Sequence, residues 1–388
     1  MPSANDRLSD AFLTHAVYLE RIKAGFVKEA LRQLTTLERA LVKDLESATL
    51  TTFRKDRFER LLLTVRETIK TSYRAMRDTS RTSLIDLADL ESKWVVRMIN
   101  ATVGSEVNIP IDITSIAWST KQLEAIVSDA VVEGATVSQW WGKQATDLRL
   151  RYADVVKQGL LRGETTPKIV RKIRGGKGVE GIGLIEEKRL QAETLVRTSV
   201  QQVSNDARLA TYDANKDVIK GYRQKSTLDG RTSTICQAYS GNQWTLNFTP
   251  IGNSLPFNQG VPRHFNCRSL ILSILKSWSE LANRPIKQAD NKTLDELFRQ
   301  KLRNRGWDED RIAKARRRTQ ASMDGPVSAD LTYSDWFAKK GKEFQLDTLG
   351  PGRYALYQRG LITDLSALVD MKGNPLTVQQ LKQRYGIR

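Results

Sequence analysis

The chain has 388 residues, and its 62 Lys and Arg outnumber its 44 Asp and Glu, which gives a formal net charge of +18 and a pI near 9.9. Soluble proteins this basic usually bind a polyanion, most often nucleic acid. No apolar run approaches the roughly 18 residues that a membrane-spanning helix needs, and two cysteines argue against a disulfide scaffold and fit a reducing cytoplasm. The opening MPSANDRLSD lacks the basic and apolar regions of a signal peptide, so we expect no secretion.

Residues 7–80 have the pattern of two long helices. Apolar residues recur at steps of three and four over 19–45 and again over 62–76, which predicts two amphipathic stripes. Residues 49–52 predict a break or a helix cap between them. Two antiparallel helices that share a core explain the pattern. A coiled coil with a partner chain is the alternative, although the spacing is less regular than a sustained heptad.

The helical pattern weakens after residue 82 and returns over 120–161. A short helix around Trp94 and a loop over 103–110 are predicted between these parts. In the later segment, Trp140-Trp141 is predicted to fill a helix–helix junction, and stacking on nucleic-acid bases is the less favoured alternative.

The segment 162–184 is basic and rich in glycine. Thr166-Pro167 predicts the start of a short helix, because proline favours the first helical turn, and a G-x-G-x-x-G motif follows over 176–181. A dinucleotide-binding loop needs a strand before that motif, whereas a basic helix precedes it here. We therefore predict a flexible hinge, with phosphate contact as a second role. Its candidate DNA-binding residues are Lys168, Arg171, Lys172 and Arg174.

One long helix is predicted over 185–216, with valines and alanines at helical spacing on one face. Arg197, Asn205 and Arg208 are expected on or beside the opposite face. We expect Arg197 and Asn205 to brace the neighbouring segment through hydrogen bonds.

The stretch 222–275 organises the central part of the chain. An alternating run over 222–228 leads into Asp229-Gly230, a sequence typical of a two-residue β-hairpin turn. A loop rich in Pro, Gly and Asn follows over 249–262. The apolar run 269–275 then predicts a strand.

Both cysteines and one of the two histidines of the chain lie in this stretch. His264 and Cys267 have the spacing of metal ligands rather than that of a nucleophile and its base. With Cys236, and with Asp229 as fourth ligand, they form a candidate structural zinc site. A metal-free cluster that closes the loop is the favoured alternative. Cysteine catalysis and nuclease chemistry are disfavoured, because no suitable set of histidines and carboxylates accompanies the cysteines.

Two basic clusters lie in the segment 281–330. Between residues 284 and 318 there are twelve Lys and Arg against six Asp and Glu. Such a charge run forms either a solvated face or a polyanion contact, and the basic balance of the whole chain favours contact with DNA. The candidate DNA-binding residues are Arg299, Lys301, Arg303, Arg305, Arg316, Arg317 and Arg318.

The last part, 331–388, has the aromatic and leucine content of a small packed module. Turns are predicted over 347–352 and 372–375, and a terminal helix is predicted after Leu376-Thr377. No charged or nucleophilic set of residues accompanies these features, so we predict a helical module that packs or docks.

Four features occur in order and together resemble the Mu F-like minor head proteins of tailed bacteriophages. They are the helix LVRTSVQQVSNDARLATYDAN, the motif Asp-Gly-Arg-Thr before a cysteine, the motif Pro-x-His-x-x-Cys-Arg before an apolar strand, and the closing segment FQLDTLGPGRYALYQRGLITDLSALVDMKGNPLTVQQL. The resemblance covers roughly 150–388. Many members carry Cys-x-x-Cys where this chain has Cys236-Gln237-Ala238-Tyr239, so a complete zinc-ligand set is not present. The motif positions are Arg197, Asn205, Asp229, Gly230, Cys236, His264, Cys267 and Arg268.

The resemblance implies a low-copy, non-enzymatic component of the phage head, associated with the portal. It implies action in head morphogenesis and in DNA packaging, retention or ejection. The expected partners are the portal protein, the major capsid or scaffold protein and double-stranded DNA, with no membrane. Such a chain is made in the host cytoplasm and ends in the head interior near the portal vertex. An enzyme that uses the Cys/His loop, and an assembly protein that binds only other proteins, are the alternatives.

The predicted fold class is α+β and predominantly α-helical, with a hairpin and a Cys/His-closed loop in its central domain. No cofactor is expected apart from the zinc alternative. The predicted parts are an N-terminal helical region at 1–161, the basic hinge at 162–184, a small α+β domain at 185–280, a basic helical segment at 281–330 and a small C-terminal helical module at 331–388.

Overall fold

A computed structural model describes residues 4–48, 55–107, 118–176, 181–258, 260–277, 280, 319–328 and 330–387. The chain is mainly helical with small antiparallel sheets, so the predicted fold class is confirmed. The helices are α1 (Ala4–Ser47), α2 (Lys55–Val107), α3 (Thr120–Asp129), α4 (Val137–Leu161), α5 (Thr166–Arg174), α6 (Leu184–Ala214), α7 (Thr234–Tyr239), α8 (Tyr333–Ala338), α9 (Lys342–Gln358), a 3₁₀ helix (Leu365–Leu368) and α10 (Val378–Arg384). The strands are β1 (Val131–Val132), β2 (Ala135–Thr136), β3 (Ile219–Lys225), β4 (Gln243–Thr245), β5 (Pro250–Ile251), β6 (Leu270–Leu275), β7 (Thr319–Ser322) and β8 (Gly325–Ser328).

The first two helices pack antiparallel, as predicted. Thr68 donates a hydrogen bond to Asp44 near one end of the pair, and His15 contacts Glu91 near the other. The apolar stripe of α1 is buried in a core that α2, α4, α5 and α6 share, so one face of each helix is removed from water. The predicted break at 49–52 lies outside the described residues.

The second helix is longer than predicted. It continues without interruption to Val107, so the predicted short helix around Trp94 and the first part of the loop predicted over 103–110 are wrong. The pattern weakens because Glu91 and Ser92 are polar yet 0% and 1% exposed. Apolar periodicity therefore fails at the positions where the helix is most buried.

A β-hairpin divides the segment 120–161, which we predicted to be helical throughout. β1 pairs antiparallel with β2 around Glu133 and Gly134, which have φ values of 46° and 78°. Positive φ at both positions suits a two-residue turn whose twist matches that of the strands. Trp141 is buried in the helical core, in agreement with the predicted junction, and the Trp140 indole N–H donates to the Val132 carbonyl at 2.7 Å.

The short basic helix α5 begins where Thr166-Pro167 predicts it, with proline in the first turn. Its apolar side is buried, and a Cβ on Gly159 would lie 2.5 Å from Ile169. A Cβ on Gly183 would lie 2.1 Å from the Cα of Gly175, so the segments on either side of residues 177–180 touch. The hinge itself stays a prediction.

Helix α6 lies between the helical core and the central sheet. Its range agrees with the predicted 185–216 to within two residues. Asn205 and Arg208, which we expected on or beside the face opposite the valines and alanines, are 1% and 0% exposed, so that part of the helix is buried as well. The helix is buried on several sides because α1 and α2 pack on it from one direction and the sheet from another.

The central sheet has the order β5-β4-β3-β6, and every pair is antiparallel. The strand predicted over 269–275 is confirmed as β6. The hairpin predicted at Asp229-Gly230 is wrong, because the chain passes from there into α7, and β3 pairs instead with β4 and β6. The side chain of Ser233 accepts from the Cys236 amide and caps α7. The run Thr232-Ser233 is thus a helix start rather than a strand.

The C-terminal module has its own apolar core, formed by residues of α8, α9, the 3₁₀ helix and α10. The predicted terminal helix is confirmed, with a capping box between Thr377 and Gln380. The turn predicted over 347–352 is a kink inside α9 at Gly350, whose φ is 71°. Within the described residues, no helix is long and apolar enough to cross a membrane.

Candidate functional site

Two thiols and an imidazole meet at one end of the central sheet. Cys236 lies in the first turn of α7, and His264 and Cys267 lie on the loop that enters β6. Cys236 Sγ is 3.3 Å from His264 Nε2 and 3.6 Å from Cys267 Sγ. The three ligand atoms lie within 4.8 Å of one another. We call these three residues the thiol–imidazole cluster.

Backbone contacts hold the cluster in place. His264 Nδ1 is 2.7 Å from the Phe265 carbonyl oxygen, and a proton on Nδ1 that donates to this carbonyl leaves the Nε2 lone pair directed at the sulfur atoms. The Cys267 amide donates to the His264 carbonyl at 3.2 Å. The Ser226 hydroxyl donates to the Cys236 carbonyl at 2.7 Å. The imidazole orientation is therefore fixed before any ligand binds.

The two sulfur atoms have different proton affinities. A hydrogen bond from Cys236 holds the pKa of the Cys267 thiol well below its usual value, and His264 adds to this effect. The same hydrogen bond, together with burial, raises the pKa of Cys236. Burial alone would lower the pKa of His264, but the hydrogen bond and charge of Cys267 outweigh it, so the net pKa is raised. Cys267 is therefore the sulfur with most thiolate character.

The predicted fourth ligand, Asp229, is not part of the cluster. Arg268 Nη1 and Nη2 donate to its two carboxylate oxygens at 2.6 and 2.8 Å. Its Oδ1 also accepts from the Arg231 amide and the Thr232 hydroxyl. Partial burial would raise the pKa of Asp229, but the hydrogen bonds from Arg268 outweigh it and lower the pKa. The Asp229–Arg268 pair closes the turn before α7.

Residues of α6 brace the loop that carries the cluster. Thr198 Oγ1 accepts from the Asn266 amide at 2.9 Å, and Gln201 Nε2 donates to the Ser269 carbonyl at 2.8 Å. Asn205 is buried beside Gly260, whose added Cβ would lie 3.6 Å from Asn205 Nδ2. Its side-chain amide has no hydrogen-bond partner in the described part of the chain, so the predicted brace through hydrogen bonds is not seen at Asn205. Arg197 pairs with Glu193 and Glu20.

Sequence reasoning gave Thr198 and Gln201 no role at the loop, although a signal was present. Polar residues recur on α6 at steps of three and four, at positions 194, 198, 201, 205 and 208. Such a stripe on a helix that is otherwise apolar indicates a buried face that binds backbone or charged groups.

A buried ion-pair network joins the helices below the sheet. Glu91 Oε1 is 2.6 Å from His15 Nε2, and Glu91 Oε2 accepts from Arg208 Nε at 2.8 Å. The His15 ring stacks on Trp94 with centroids 3.9 Å apart. We call His15, Glu91 and Arg208 the buried junction. Each of the three is at most 6% exposed, so the junction connects α1, α2 and α6 without reaching solvent.

Of the two groups of predicted DNA-binding residues, the structure describes only the group on α5. Lys168 and Lys172 of α5 pair with Glu164, and Arg174 pairs with Glu38, while Arg171 is exposed. The other group lies outside the described residues; it comprises Arg299, Lys301, Arg303, Arg305, Arg316, Arg317 and Arg318.

Residues 151–272 match the family model described as Phage Mu protein F like protein. This region of the chain is Mu F-like. No curated protein and no solved structure matches the chain. The matched range contains the thiol–imidazole cluster, the Asp229–Arg268 pair and all of α6, and it ends inside β6.

The Mu F-like region confirms the family suggested by the sequence motifs. Residues 151–272 are accordingly similar to a family of phage head proteins. The resemblance predicted over 150–388 was broader than the match, since residues 273–388 lie outside it.

Proposed function

We propose that the chain is a minor head protein that lies inside the phage head beside the portal and contacts the packaged DNA. In this role it acts in head morphogenesis and in packaging, retention or ejection of the genome. The match of the Mu F-like region carries the proposal. The net charge of +18 supports the DNA contact, because a chain this basic beside a genome neutralises phosphates and releases their counterions.

The expected protein partners are the portal protein and the major capsid or scaffold protein. The long helices α1 and α2 precede the Mu F-like region and carry exposed apolar side chains, including Val17, Tyr18 and Leu63. Scattered exposed apolar residues are normal on monomers, so these positions are starting points for mutational mapping of the partner contacts.

Particle composition tests this proposal. Procapsids and DNA-filled heads are purified from infections with and without the gene, and their proteins are quantified by mass spectrometry. We expect the chain at low copy in both particle types, and we expect heads without it to package, retain or eject DNA poorly. Absence of the chain from both particles would overturn the proposal.

A second proposal concerns the thiol–imidazole cluster: we infer that it closes the loop as a structural zinc site. Tetrahedral zinc, with bonds of about 2.3 Å to sulfur and about 2.0 Å to nitrogen, places two sulfurs about 3.8 Å apart and sulfur and nitrogen about 3.5 Å apart. The distances of 3.6 and 3.3 Å from Cys236 Sγ fit this spacing. Two thiolates and a neutral imidazole suit zinc, and the contact of His264 Nδ1 with the Phe265 carbonyl is the usual outer-shell support.

The burial of the cluster favours a structural role over cysteine catalysis. Cys236 and Cys267 are 2% and 1% exposed, and a nucleophile has to reach its substrate. When zinc binds, it links α7 to the loop that enters β6. Three protein ligands would leave the fourth tetrahedral position open, which is the pattern of catalytic zinc sites, but the burial of both cysteines favours the structural role.

Metal analysis of the purified chain decides between the zinc site and a metal-free closure. We expect about one zinc per chain, loss of zinc in Cys236→Ser, and retention in Asp229→Asn, because Asp229 lies outside the cluster. A chain that binds no zinc after refolding with zinc chloride would overturn the metal proposal. Loss of an enzymatic activity in a folded Cys267→Ala variant would instead support the enzyme alternative.

A further inference from the structure

A cationic groove lies between α2 and α4, on the helical region that precedes most of the Mu F-like match. Its volume is about 310 Å³. Five of its lining residues are Lys or Arg, and none of them is Asp or Glu. We call this feature the α2–α4 groove, and its cationic residues are Arg66, Lys70, Arg74, Arg77 and Arg149.

Most of this charge is not neutralised within the molecule. Lys70 pairs with Glu67 at 3.4 Å and Arg77 with Asp78 at 2.9 Å, both on exposed side chains. The side chains of Arg66, Arg74 and Arg149 have no hydrogen bond or ion pair with other described residues. Like charges this close together repel one another, so the groove favours an anionic ligand.

The floor of the groove offers two hydrogen-bond donors without partners. Tyr73 and Trp141 line it and are 3% and 1% exposed. Neither the Tyr73 hydroxyl nor the Trp141 indole N–H has a hydrogen-bond partner in the described part of the chain. Burial raises the pKa of Tyr73, so its hydroxyl remains protonated and can donate. Buried donors are nearly always satisfied, and an anionic oxygen would satisfy these two.

The spacing of the cations indicates a ligand with several phosphates in a row. Arg66, Lys70, Arg74 and Arg77 follow one another at steps of four, four and three along α2. At 1.5 Å per residue they extend over about 16 Å. Phosphates follow one another about every 3.4 Å along the axis of each strand of B-DNA, so this length matches about five of them.

We propose that the α2–α4 groove binds the sugar-phosphate backbone of double-stranded DNA. One phosphate lies over Tyr73 and Trp141, and its neighbours pair with the cations of α2 and with Arg149. Such contacts position the protein without selecting a base sequence. The choice of DNA among polyanions rests on the proposed function of the chain as a head protein.

The test uses the full chain and a 30-base-pair duplex in a fluorescence-anisotropy titration at several salt concentrations. The groove variant carries Arg66→Gln, Arg74→Gln and Arg149→Gln. The control carries Lys28→Gln, Arg39→Gln and Lys43→Gln, which remove the same charge from exposed positions of α1. If each of the three groove residues neutralises one phosphate, the plot of the logarithm of the DNA association constant against the logarithm of salt concentration becomes less steep by about 2–3 in the groove variant. In the control the steepness changes much less.

Tyr73→Phe gives a second test in which the fold is expected to be retained, because its hydroxyl has no partner in the described part of the chain. Loss of a hydroxyl contact to phosphate weakens DNA binding by about fivefold to tenfold. Inorganic phosphate, compared with chloride at the same ionic strength, distinguishes DNA from a small phosphate ligand. Preferential displacement of DNA by phosphate would mean that the groove binds a free phosphate, which overturns the commitment to DNA.

The outcomes separate this inference from the proposed function. If the wild-type chain binds DNA and the groove variant behaves like the control, the groove proposal alone is overturned, and the proposed function then depends on the other basic clusters. If the wild-type chain does not bind DNA even at low salt, the DNA contact in the proposed function fails as well.

Discussion

Helix α2 carries two charged regions that differ in where their partners are. At the buried junction, Glu91 lies between His15 of α1 and Arg208 of α6, so both carboxylate oxygens have partners inside the molecule. At the α2–α4 groove, Arg66 and Arg74 have no partner among the described residues. Buried charges need compensation within the fold, whereas charge without an internal partner is available to an external one. The junction is therefore part of the scaffold, and the groove is a surface for binding.

The largest expected effect comes from breaking the buried junction. Arg208→Met removes one partner and leaves Glu91, which is 0% exposed, with His15 alone. Removing one member of a buried pair costs about 3–5 kcal/mol, and we expect this loss in the free energy of unfolding measured by urea denaturation.

The control for this variant is Arg197→Gln. Arg197 also lies on α6, but its side chain is 33% exposed and pairs with partly exposed carboxylates. Its loss should cost less than about 1 kcal/mol. Equal effects of the two substitutions would contradict the scaffold role of the junction.

A smaller effect on folding stability is expected at Asp206 of α6, whose charge is only partly compensated inside the fold. Its carboxylate accepts from Gln202 Nε2 at 2.8 and 2.9 Å but has no cation beside it in the described residues. Burial raises the pKa of Asp206 to about 6. The folded chain therefore keeps this proton to a higher pH than the unfolded chain, and folding stability falls as pH rises from about 4 to about 6 and stays lower above that.

Asp206→Asn removes the loss of folding stability that comes with ionisation of the buried carboxyl group. The variant should gain about 3 kcal/mol of unfolding free energy at pH 8 and less than about 1 kcal/mol at pH 4, measured by urea denaturation at both pH values. Asp213→Asn, at an exposed position of the same helix, is the control and should change the free energy of unfolding little at either pH value. A gain of equal size at pH 4 would show that the effect does not come from ionisation.

The smallest effect on stability is expected at the α2–α4 groove. The variant with Arg66→Gln, Arg74→Gln and Arg149→Gln should unfold within about 0.5 kcal/mol of the wild type, because surface substitutions without partners cost little. Relief of repulsion between like charges could make it slightly more stable. A loss above about 2 kcal/mol would mean that these cations have a role inside the fold.

The sequence predicted those elements whose signals are local. The extents of α1 and α6, strand β6 and the capped terminal helix all follow from periodicity or cap residues that lie close together in the chain. The continuation of helix α2 through Glu91 could not be predicted from local signals. Glu91 is buried only because Arg208, 117 residues away, pairs with it, and no local pattern shows this.

The candidate site was predicted in part. The sequence identified Cys236, His264 and Cys267, because cysteine and histidine are rare here and spaced like ligands. Asp229, predicted as the fourth ligand, pairs in the fold with Arg268, 39 residues away, and no local pattern shows this pairing. The α2–α4 groove was not predicted, because cations at steps of four on one helix have the pattern of a solvated face until Arg149 and Trp141 of another helix lie beside them.

The most direct test of the central claim is an asymmetric cryo-electron microscopy reconstruction of DNA-filled heads. We expect density for the Mu F-like region inside the head at the portal vertex, with the α2–α4 groove facing the packaged DNA. Density for this chain only on the outer shell, away from both the portal and the genome, would contradict it.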